Sequence, residues 1–142
     1  TTDVKAITDD EIDLNKEFDF LATNLDHYTI PKDVEVYEIN GPYFFGAGNK
    51  FEEVMAAFGD RPKVRVIRMR KVPFVDSTGI HNLTNLCNMS KKEGIQVVLS
   101  GVSEKVNAQL EHARFYDLLG KENICDHISK ALKRAEEITK EK

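Results

Sequence analysis

Apolar positions along the chain change period several times, and each change marks an element. Residues 33–45 read VEVYEI, then Asn40-Gly41-Pro42, then YFF. Two β-prone runs flank a turn signal, and Pro42 has no N–H with which to continue a central ladder, so this segment predicts an antiparallel hairpin. The period then becomes helical. Phe51, Val54, Met55 and Phe58 recur three and four residues apart behind Asn49 and Glu52, which have capping-box spacing, and Gly59 supplies a left-handed residue to end the helix.

The same alternation continues downstream. VRVIRM (64–69) predicts a strand, KVPFVD a turn region, and Ile80, Leu83, Leu86 and Cys87 the apolar stripe of a second helix ending at Gly94. IQVVLS (95–100) is nearly all apolar, the pattern of a parallel strand covered on both faces, and is expected at the centre of the sheet. Ser103 is placed to cap a third helix carrying Val106, Leu110 and Ala113, after which FYDLLG interrupts the pattern and ends in a breaker. A last helix starting near Asp126 places Ile128, Ala131, Leu132, Ala135 and Ile138 on one stripe. The terminal TKEK, 139–142, is expected to fray. At the other end, Leu14, Phe18, Leu21 and Leu25 have the spacing of a helix stripe but lie between acidic flanks and Pro31. Strands alternating with helices make this an α/β chain: a mostly parallel central sheet, an N-terminal antiparallel hairpin and flanking helices.

Composition narrows the function classes. With 142 residues, 41% hydrophobic and 31% charged, the chain suits one globular domain. A net charge of -4 opposes nucleic-acid binding, which relies on basic residues to neutralise phosphates. No apolar run approaches the roughly 18 residues that cross a bilayer, and the acidic opening TTDVKAITDDEID is unlike a signal peptide. Cys87 and Cys125 are widely separated and too few to staple the domain, which predicts reduced, buried thiols and a cytosolic setting. The start at Thr1, without a methionine, suits a domain excised from a longer chain.

Candidate chemistry is sparse. GAGNKF (46–51) follows a strand and opens a helix, the setting of a dinucleotide-binding turn, and Gly46, Gly48 and Asn49 are its candidate contacts for a nucleotide or anion. Phe51, however, stands where that fingerprint needs its third glycine. His27, His81, His112 and His127 lack metal-ligand spacing, and there is no phosphate-binding P-loop or redox pair, so neither a cofactor nor a catalytic activity is expected. Lys63, Arg65, Arg68, Arg70 and Lys71 form the densest basic cluster: either a strand with solvated ends or a patch that recruits an anion, an acidic partner or anionic headgroups. In V-P-F-V-D-S-T-G (72–79), Asp76, Ser77 and Thr78 can all cap the helix that begins there. A hydroxyl exposed at a helix N-terminus is also placed to carry a phosphate, which would make Ser77 a switch.

At this turn the sequence resembles the STAS family of sulfate transporters and anti-sigma factor antagonists, whose signature is an apolar strand followed by D-S-x-G opening a helix. RMRKVPFVDSTG (68–79), GPYFFGAGNKFEEVM (41–55) and HARFYDLLGKENICDHISKALKRAEE (112–137) are similar to the form carried by bacterial SulP anion transporters. The resemblance implies a STAS domain over 33–138, preceded by a linker or insertion, 1–32, after a transmembrane region. It implies a regulatory module at the cytoplasmic face of the membrane, in a transporter of sulfate, bicarbonate or dicarboxylate. Its partners would be its own transport domain, a second copy, a regulatory protein or a nucleotide. Asp76, Ser77, Thr78 and Gly79 would form the partner surface, with Ser77 matching the serine phosphorylated in stand-alone antagonists. Such an antagonist, and a small nucleotide-binding α/β domain, are the alternative readings.

Overall fold

The computed structural model describes residues 18–19, 28–39 and 61–141. Its elements run β1 (Phe18–Asp19), β2 (Val34–Ile39), β3 (Val64–Arg68), α1 (Ser77–Lys92), β4 (Gln96–Ser100), α2 (Glu104–His112), α3 (Phe115–Leu119), a 3-10 turn (Lys121–Asn123) and α4 (Ile128–Glu141). The sheet order is β1-β2-β3-β4, with β2, β3 and β4 mutually parallel and β1 antiparallel to β2.

The parallel strands are rich in Val, Ile and Leu because helices cover both of their faces. On one face Tyr37, Ile39, Ile67, Met69, Val97 and Leu99 pack with α1 through Leu83, Leu86 and Cys87, with α2 through Val106 and Leu110, and with Phe115. On the other, Val34, Val36, Val64, Val66 and Val98 meet the α4 stripe of Ile128, Ala131, Leu132, Ala135 and Ile138. Two alanines in that stripe let the helix lie close to the valine-rich sheet.

The chain between β3 and β4 folds as its pattern predicts. Gly94 adopts φ +75° just beyond α1, the Gly94 N–H bonds the Lys91 carbonyl at 3.0 Å, and the Ile95 N–H bonds the Ser90 carbonyl at 2.9 Å. This is a Schellman ending, which a glycine makes without the Cβ penalty of the left-handed region. Ser103 caps α2, its hydroxyl accepting from the Val106 N–H at 3.1 Å.

Several expectations are corrected. β4 stands at the outer side of the described sheet rather than its centre: its apolar run reports cover on both faces, a property that does not fix strand order. Its outer edge is closed by a short neighbouring segment. The Cys125 N–H bonds the Leu99 carbonyl at 2.8 Å and the Val102 N–H bonds the Cys125 carbonyl at 3.1 Å. Phe18, placed on a helix stripe by spacing, lies in β1 and pairs with Ile39. FYDLL, read as an interruption, is helical: Arg114 turns the chain with φ +67°, and α3 then buries Phe115. The expected second hairpin strand and the helix with Phe51, Val54, Met55 and Phe58 lie outside the described residues.

Leu83 and Leu86 are both 0% exposed. Truncating either to Ala should destabilise the domain by about 2–5 kcal/mol, because little of such a cavity can collapse. Denaturant unfolding checks this; losses under about 1 kcal/mol for both would contradict the packing described.

Candidate functional site: the loop into the first helix

The segment between β3 and α1 has no regular structure, yet Met69, Val72 and Val75 are all buried. Its backbone is fixed at intervals. The Met69 N–H bonds the Ser100 carbonyl at 2.7 Å and the Val72 N–H bonds the Met69 carbonyl at 3.0 Å. The Val75 N–H donates to Gln109 Oε1 of α2 at 2.8 Å. Asp76 is the N-cap, its Oδ1 accepting from the Gly79 N–H at 2.8 Å.

Of the three residues able to cap, Asp76 is therefore the one that does. Ser77 is the first residue of α1; it and Thr78 are exposed, while Gly79 is buried. The Ser77 hydroxyl thus stands at the positive end of a 16-residue helix. Phe74 is 42% exposed, with Lys105 Nζ 5.8 Å from its ring centre. A groove of about 350 Å³ runs between the α1 N-terminus and α2, lined by Val75, Ser77, Ile80, Ala108, Gln109 and His112. An exposed ring and a shallow, mostly apolar groove that Ser77 lines form a surface suited to a partner side chain. Gly46, Gly48 and Asn49 lie outside the described residues.

The basic cluster is consumed largely within the fold. Glu38, at 1% exposure, receives Arg70 as a fork, Nε to Oε1 at 2.8 Å and Nη2 to Oε2 at 3.2 Å. Lys71 Nζ lies 3.0 Å from Oε2 and Arg68 Nη1 lies 3.5 Å from Oε1. Arg65 is buried and donates to Ser90 Oγ at 2.8 Å, and Lys63 lies 3.9 Å from Asp33. Burial alone would push the Glu38 carboxyl up, but the hydrogen bonds and charges of Arg70 and Lys71 outweigh it and hold the group below its ordinary value. Sequence reasoning missed Glu38. The available signal was an acid inside the otherwise apolar end of a strand, between Tyr37 and Ile39.

A larger hollow of about 590 Å³ lies between α2, the 3-10 turn and α4. Its cations Lys121, Lys130, Lys133 and Arg134 are matched by Glu104, Glu122, Asp126 and Glu137, and Lys130–Asp126 pairs at 3.0 Å, so it presents no net charge to select a ligand. Cys87 and Cys125 are free and buried, as predicted. Burial pushes the Cys87 thiol up to about 12 and raises that of Cys125. Neither has thiolate character at neutral pH. Among the described residues no group of three or more His, Cys, Asp or Glu is arranged to hold a metal, and no helix is long and apolar enough to cross a membrane.

The parallel sheet covered on both faces, with the D-S-T-G helix start at the end of β3's loop, lies within the stretch that comparison with known proteins matches. The STAS domain model covers residues 27–131, and the chain belongs to the STAS domain family. The chain is 38% identical to a sulfate transporter family protein from Wolinella succinogenes, with a TM-score of 0.75 over 84% of this chain and 98% of the other. It is 31% identical to the SulP transporter STAS domain of Vibrio cholerae, with a TM-score of 0.71 over 92% and 99%. Sulfate transporter 1.2 of Arabidopsis thaliana is 36% identical over 73 residues, 51% of this chain and 11% of that protein. The chain spans only 11 to 18% of the length of the curated relatives it matches.

Two outcomes follow from this geometry. Asp76→Ala should cost about 0.5–2 kcal/mol through the lost cap, whereas Ser77→Ala should change stability by no more than about 0.5 kcal/mol; equal losses in urea unfolding would contradict Asp76 as the cap. Because Glu38 has a depressed value in the folded state, its contribution is fully present above its ordinary value of 4.5 and is lost as pH falls through the lower folded value. Glu38→Gln should therefore lower stability at neutral pH and flatten the acid limb of the stability profile, measured as unfolding midpoint from pH 7 down to 2. An acid limb as steep as the unmodified chain's would contradict the ion cluster.

Proposed function

We propose that this chain is the cytoplasmic regulatory STAS domain of a SulP-type anion transporter of the sulfate, bicarbonate or dicarboxylate class, acting through protein–protein contacts. The observation that carries the reading is the exposed start of α1. Ser77 lines a groove shared with α2, and Thr78 and Phe74 are exposed in the same segment, whose backbone is tied to β4 and to α2. A rigid scaffold presenting an exposed loop is how interaction surfaces are commonly built. Identities of 31 and 38% to SulP-type chains support the transporter over a stand-alone anti-sigma factor antagonist. In this reading the partner is the transport domain of the same protein, and the domain itself performs no catalysis.

Ser77 is the control point in this proposal. Adding negative charge there leaves the helix intact, since the dipole favours an anion at its N-terminus, but sets a second charge beside Asp76 on the contact face. Ser77→Asp in the full-length transporter should reduce uptake of whichever of labelled sulfate, bicarbonate and succinate the unmodified protein carries, with unchanged expression and unfolding midpoint. Uptake equal to the unmodified protein's for all three would overturn the reading and leave Ser77 a solvated first-turn residue.

A further inference from the structure

The partner-facing loop is irregular in structure yet tightly placed, and what places it lies elsewhere in the chain. Glu38 sits at the carboxyl end of β2, in register with Arg68 of β3, which is in register with Ser100 of β4. Beyond this row the chain leaves β3 through Met69, Arg70 and Lys71. The Arg70 guanidinium forks onto the two Glu38 oxygens, and Lys71 shares Oε2. On its other side the Arg70 backbone lies against Gly101, where an added Cβ would stand 2.8 Å from the Arg70 nitrogen and 3.0 Å from its Cα. Gly101 also holds φ +67°, so a glycine meets both the close approach and the left-handed backbone. Arg70 is thus held between the exits of β2 and β4, and it lies between the buried loop residues Met69 and Val72.

We propose that Glu38 is a positioning residue for the partner surface: its buried carboxylate, by gathering Arg70 and Lys71, latches residues 70–79 onto the end of the sheet. A fork of two charge-assisted hydrogen bonds fixes direction as well as distance, which a single exposed ion pair does not. Removing the charge leaves the sheet's two apolar layers whole and frees the loop. That this loop faces a partner rests on the reading above, but the latch is tested on the chain alone, so failure of one is distinguishable from failure of the other.

The test is amide hydrogen exchange, residue by residue, in the 142-residue chain carrying Glu38→Gln. Exchange at Val72, Val75 and Gly79 should accelerate about tenfold or more beyond any acceleration at Val66 and Val98 in the sheet, which rises only with the global loss of stability. Equal acceleration at loop and sheet would reduce Glu38 to a general stabilising residue, and no acceleration in the loop would remove the latch; either result overturns the proposal. Should Glu38→Gln fail to fold, Arg70→Met, at a half-exposed position, should show the same local acceleration, with Arg70→Lys intermediate. An unchanged loop in Arg70→Met would likewise overturn it.

Discussion

A parallel ladder has no solvent face, and the rest of this molecule follows from covering both sides of β2, β3 and β4. The valines at 34, 36, 64, 66 and 98 require the small-residue stripe of α4. The larger side chains on the opposite face require α1, α2 and Phe115. Parallel strands also deliver their exits to one edge, where ligand and partner sites of such sheets concentrate. Glu38, Arg70 and Gly101 meet there because β2, β3 and β4 all end there.

That edge is where polar chemistry is concentrated. Glu38 is buried, yet it does not burden the fold as an isolated charge would, since three cations satisfy it. The basic run 68–71, which in isolation resembles an anion-recruiting patch, is spent largely on this one carboxylate. What remains outward is the next stretch: the Phe74 ring, the Ser77 and Thr78 hydroxyls and the groove beside α2. Stability and exposure are thus divided between neighbouring residues of one loop.

Local features were legible in the sequence where the physics is local. The stripes of α1, α2 and α4, the Ser103 cap and the glycine stop at Gly94 depend on residues within two turns of one another. Strand order does not: β4 reads as central because both its faces are covered, and only the ladder shows that Ile124 and Cys125 lie beyond it. The D-S-T-G turn was legible as a helix start and a candidate surface. Its capping residue needed geometry, since three adjacent residues were chemically able. Gln109 and Glu38, each more than thirty residues from the atoms they hold, belong to the loop only through the fold.

In the proposed reading Phe74, Ser77 and Thr78 face the transport domain, and proximity tests this more directly than activity does. A photo-crosslinking residue placed at position 74 of the full-length transporter should form an adduct with the transport domain. The same residue at position 133, exposed on α4, should form none. Adducts to the transport domain from position 133 and none from position 74 would contradict the account and move the contact to the opposite face of the sheet.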